Sequence, residues 1–177
     1  MAPVVMKEAA VTERTLLKNS CYVIPIGEKV RIFALRLVLI PYLILRYKMR
    51  KFIPTDMENS GDVVRKYVRD YEAEKVLKAL GIEERDATAA VKAAAYMHNL
   101  THPLGEITEM TPQKSMRVEK YCPFAKRFSP DTCRDLISGP AFRGLCEAIN
   151  PNLVHSHTKY LSGGEDCCDL CFELKEM

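Results

Sequence analysis

Two histidines and a group of cysteines near the C-terminus have the chemistry to act on a small molecule or an ion. His155 and His157 stand two apart in a stretch that reads as a strand, so both imidazoles point to one face. Across a glycine-containing turn lie Cys167, Cys168 and Cys171. The run Cys168-Asp169-Leu170-Cys171 has C-x-x-C spacing. In a loop that spacing brings two sulfurs to one metal ion or to each other, whereas on a strand it sets them on opposite faces. Together Cys167, Cys168, Cys171, His155 and His157 form a candidate donor set for Zn or Fe, since thiolate and imidazole are soft enough for either. The same region could instead serve hydrolysis. Cys122 and Cys168 are then the candidate thiols, His155 or His157 the base, and Glu165 or Asp166 the accompanying carboxylate.

The remaining candidates are weaker. Cys122, in Tyr121-Cys122-Pro123-Phe124, falls where a strand ends and the chain turns, a place that can look into a cleft. Cys133 shares an apolar helical stripe with Leu136 and Ile137 and reads as core. His98 and His102 sit at the end of the helical half and read as cap or surface residues. No Walker A, G-x-S-x-G, G-x-G-x-x-G or H-E-x-x-H pattern occurs, so nothing supports nucleotide hydrolysis, a serine hydrolase or a zincin.

The elements that must position these residues follow from periodicity. Val64, Tyr67 or Val68, Tyr71, Leu77 and Leu80 recur near 3.6 residues, and Gly81 supplies a stop. Asp86 is placed to cap a second, alanine-rich helix through Met97. Residues 106–111 and 115–121 read as strands joined by Pro112-Gln113-Lys114, with Met116 and Val118 on the apolar side. Ser129-Pro130 opens a helix, Ser138-Gly139-Pro140 breaks or kinks it, and Asn150-Pro151 ends it. Residues 153–161 and 168–174 then read as a closing β-hairpin around Ser162-Gly163-Gly164-Glu165-Asp166. The expected class is α+β: N-terminal helices, then a mainly antiparallel sheet with one kinked helix, ending in the hairpin.

The chain has 177 residues and a formal net charge of +3, which suits a single globular domain and gives no basic excess for nucleic acid. Residues 1–58 read as a helical extension and 59–177 as the α+β domain. Within the extension, residues 32–45 form a 14-residue apolar run interrupted by Arg36 and Pro41 and flanked by basic residues. It is shorter than the roughly 20 residues a membrane-spanning helix needs. Burying its large side chains is worth on the order of 10–24 kcal/mol, so a cover is expected: a second copy of the chain in a homo-oligomer, with peripheral contact with a membrane surface or burial in the protein's own core as the alternatives. The first eight residues lack the basic-then-apolar order of a secretory signal, and the cysteines number seven, an odd count. The expectation is therefore a reducing cytoplasm and free thiols.

A resemblance enters at the second half. Val118-Glu119-Lys120-Tyr121-Cys122-Pro123, then Cys133, then Glu147-Ala148-Ile149-Asn150-Pro151-Asn152-Leu153, then Gly164-Glu165 followed by Cys168, resembles the L-2-amino-thiazoline-4-carboxylic acid hydrolase-like family over about residues 60–174. Members show Cys-Pro after a strand, a later helical cysteine, an Asn-Pro turn and a terminal Gly-Asp-x-x-Cys-x-aromatic strand. Here Glu165 replaces the aspartate, and the aromatic Phe172 follows Cys171, so the terminal cysteine is either Cys168 or Cys171. The resemblance implies hydrolytic opening of a small C=N–S heterocycle or a related bond. Similar small α+β domains in vinyl-reductase-type ligand sensors imply the alternative, a Zn- or Fe-holding module for a small ligand.

Overall fold

The computed structural model describes residues 57–99, 105–122 and 125–175, and the expected extension over 1–58, with its apolar run at 32–45, lies almost wholly outside them. The described chain folds as α+β, with the helices packed on one face of a four-stranded antiparallel sheet.

A helical rod opens it. Helix α1 (Met57–Tyr67) passes through a π turn at Val68–Glu72 into α2 (Ala73–Leu80). Gly81 ends the rod at φ +63°, a left-handed conformation that glycine adopts without strain, and its N–H reaches back to the Leu77 and Lys78 carbonyls. Asp86 caps α3 (Ala87–Asn99) as expected, its Oδ1 accepting from the Ala89 N–H at 3.0 Å. Six alanines of α3 and Val91 are almost wholly buried. Small side chains let this helix sit between the rod, the sheet and a later helix, at close approach to all three.

Strands β1 (Gly105–Met110) and β2 (Lys114–Glu119) form a hairpin with a register shift between Ile107 and Glu109. Their sidedness is the reverse of the expected one. Ser115, Arg117 and Glu119 point into the core while Met116 and Val118 are only half-buried on the far face. Hydrogen bonds offset much of the cost of burying these polar groups. The Ser115 hydroxyl donates to the Thr111 carbonyl at 2.9 Å, and Arg117 Nε donates to Glu119 Oε1.

Ser129 caps the short α4 (Pro130–Thr132), accepting from the Thr132 N–H at 3.2 Å, with Pro130 at the first helical position. A π turn at Cys133–Ile137 then leads into α5 (Ser138–Ile149). Pro140 has no N–H for the Leu136 carbonyl, and the chain widens just before it. The Ser138 N–H and hydroxyl both turn to the Cys133 carbonyl, the hydroxyl at 3.0 Å. The kink expected at Ser138-Gly139-Pro140 is this π turn. Asn150 closes α5 in an extended conformation.

Strand β3 (Leu153–Ser156) is half the expected length. The chain leaves the sheet before His157, runs through a 3-10 turn at Leu161–Gly163 and returns as β4 (Cys168–Leu174), antiparallel to β3. The departure is held by Asp169, whose Oδ1 accepts from the Thr158 N–H at 2.6 Å and the Lys159 N–H at 2.8 Å, while the Thr158 hydroxyl donates to Oδ2. The strand order is β1-β2-β4-β3. Among the described residues no helix is long and apolar enough to cross a membrane.

Candidate functional site

One end of the sheet's helix-facing side collects the titratable groups. Strand β2 ends there at Glu119, which pairs in register with Cys168 at the start of β4; β3 ends close by, and α3 ends above them at His98. His155 projects inward from β3, opposite Phe172, and His157 follows beyond the strand end. Their rings meet edge to face, centroids 4.5 Å apart. Phe142, on α5, is the hub. Its ring lies 5.0 Å from that of His155, 6.3 Å from His157 and 5.1 Å from His98. Three imidazoles therefore surround one phenyl ring.

Both C-terminal histidines are uncharged at neutral pH. Burial pushes His155 well below the usual histidine value, with the charges of His157, Arg143 and His98 adding to it. Burial also brings His157 down to about 4, against an opposing pull from the Asp169 carboxylate. His155 Nε2 and His157 Nδ1 are buried and have no hydrogen-bond partner among the described residues.

A second group flanks them. His98 Nδ1 lies 2.6 Å from Glu119 Oε1, the oxygen that also takes Arg117 Nε. Burial acts to raise the Glu119 carboxyl, but the contacts to His98 and Arg117 outweigh it and hold the group below the ordinary value, ionised. Glu119 is 1 % exposed and Arg117 is fully buried.

The thiols lie near Tyr160, whose ring stacks edge to face on His157 at 4.9 Å and whose phenol is close to Cys133 and Cys168. Cys122, Cys133 and Cys168 lie near enough to influence one another electrostatically. Burial raises Cys133 and lifts Cys168 to about 11, although the Leu161 N–H donates to the Cys168 sulfur at 3.1 Å. The Cys133 and Cys168 thiols are protonated at neutral pH and are not standing thiolates.

The sequence candidates separate accordingly. His155 and His157 come together, and Cys122 and Cys168 lie near enough to influence one another. Glu165 and Asp166 do not join them: they are exposed in the turn, with Asp166 3.7 Å from Lys159 Nζ. The buried carboxylates of the region are Glu119 and Asp169. The five-donor metal set is not assembled either. Cys168 faces the helices, Cys171 faces outward opposite Ser156 and Met116, and Cys167 precedes the strand. Among the described residues no group of three or more His, Cys, Asp or Glu side chains is arranged to hold a metal ion, so these donors do not fit Zn or Fe as a set. All six described cysteines are free thiols.

Sequence reasoning missed His98, Arg117 and Glu119. The one available signal was the Arg-x-Glu spacing on β2, which places both residues on the same face. No protein-family model, curated protein or solved structure matches the chain.

Proposed function

We propose that this protein is a small-molecule hydrolase that opens a C=N–S heterocycle or a related cyclic C–N bond, with imidazole as the base. The observation that carries this reading is the pair His155 and His157, half-buried and uncharged, each with a buried ring nitrogen that has no hydrogen-bond partner among the described residues. A neutral imidazole can take a proton from water as the water oxygen bonds to the electrophilic ring carbon. The bond from that carbon to nitrogen or sulfur then breaks, and the imidazolium returns its proton to the leaving atom. Cys168, protonated at rest, and Cys122 serve as further donors and not as the first nucleophile. Phe142 and Tyr160 supply flat apolar walls for a small planar ring.

The test is incubation of the full-length protein with 2-amino-thiazoline-4-carboxylate, followed by mass spectrometry for a product heavier by one water. Turnover is expected, and His157→Gln should lower kcat by about 100-fold or more. A wild-type protein that produces no such product would refute the reading.

The proposed setting is cytoplasmic, with a small-molecule substrate and self-association through residues 32–45. Free thiols suit that compartment. Sedimentation at micromolar concentration should give a dimer or larger. A monomer that floats with anionic vesicles would replace self-association by peripheral membrane contact, and a monomer that does not float would remove both.

A further inference from the structure

The third imidazole is held by a carboxylate. His98 comes from the last turn of α3, 21 residues before Glu119, and reaches the carboxylate at 2.6 Å through Nδ1. Glu119 is ionised and accepts only, so the proton of this hydrogen bond belongs to His98 Nδ1. In neutral His98 the lone pair then lies on Nε2. Arg117 holds the same carboxylate oxygen, which stops the acid from swinging to another donor. The carboxylate and guanidinium also lie close against Gly105, where an added Cβ would make both side-chain ends shift. The His98 ring edge meets the same Phe142 ring that contacts His155 and His157. A carboxylate that fixes an imidazole tautomer beside other basic groups is the arrangement that prepares a histidine for proton transfer.

We propose that His98 is a further catalytic acid–base group of this site and that Glu119 is its positioning residue. The proposal rests on the hydrolase reading above. His98 exchanges protons with the attacking water or the leaving atom alongside His155 and His157, and Glu119 acts only through His98.

Two measurements on the full-length protein test it. Nitrogen NMR of the histidine side chains in the neutral form should show His98 as the Nδ1–H tautomer in the wild type and as a mixture in Glu119→Gln. In kinetics, Glu119→Gln should lower kcat by about 10- to 100-fold with KM within about twofold, since a positioning group acts on the chemical step. His98→Gln keeps a donor for Glu119 but has no titratable nitrogen. It should lower kcat at least as far, and it serves where Glu119→Gln does not fold. An Nε2–H tautomer in the wild type would overturn the positioning role, and a His98→Gln protein with kcat within about threefold of wild type would overturn the catalytic one. Absence of any wild-type turnover would remove the hydrolase reading and His98's catalytic part with it, while the tautomer would still decide the Glu119–His98 pairing by itself.

Discussion

At pH 7 a histidine held near pKa 4 is a base ready to accept a proton, and the same burial makes acid harmful to the fold. His157 falls from 6.5 to about 4 on folding, and His155 moves the same way. Between those values the unfolded chain binds more protons than the native one, so stability is complete above pH 6.5 and drains as pH falls toward 4. For His157 alone the loss approaches about 3 kcal/mol. Urea unfolding at pH 7.5 and pH 5 should show the lower midpoint at pH 5, and His157→Phe should flatten the difference. Asp169 is the second residue with a traceable effect. Its carboxylate receives three hydrogen bonds from Thr158 and Lys159, which keep it below the usual carboxylate range in spite of burial. Asp169→Ala should cost about 2–4 kcal/mol by stranding two N–H groups, measured as a fall in Tm. Asp169→Asn keeps an acceptor for both N–H groups and should cost less.

The helices show which elements the sequence made plain. Caps and stops are local, so Asp86, Ser129, Gly81 and Asn150 mark their helix ends where the structure has them. The closing strand 168–174 was equally legible. Strand β2 was not, because the apolar residues Met116 and Val118 point one way and the core takes Ser115, Arg117 and Glu119. Periodicity finds the two faces of a strand, but it cannot tell which face wins when the polar one is satisfied by partners distant in sequence, here His98 on α3. Strand β3 fell short for a related reason: the carboxylate that pulls the chain out of the sheet at Thr158 sits 11 residues further on. Helix packing depends on a contact of the same long-range kind. A Cβ at Gly144 of α5 would strike the Arg65 carbonyl of α1. Gly144→Ala should therefore separate the two helices and destabilise the protein by about 1–3 kcal/mol, seen in the denaturation midpoint.

For the whole molecule, the site lies where the ends of α3, β2, β3 and β4 meet, so its geometry depends on the entire α+β unit and not on the closing hairpin alone. The ion pairs of Arg65 and Arg69 with Glu147, at 3.4 Å and 3.7 Å, join α1 and the π turn after it to α5 at the surface and add little to that dependence. The placement of the six thiols has a further consequence, for kinetics. Cys146 is 2 % exposed with its thiol pushed up to about 12, and Cys133 is buried, whereas Cys122, Cys167, Cys168 and Cys171 are half-buried. An alkylating reagent applied to the native protein should modify the half-buried group in minutes and Cys146 only as fast as the molecule opens. Peptide mass spectrometry of a labelling time course thus resolves local opening at the sheet end from global unfolding, with every reporter a native side chain. Cys146 modified at the rate of Cys167 would mean that α5 detaches without the rest of the fold.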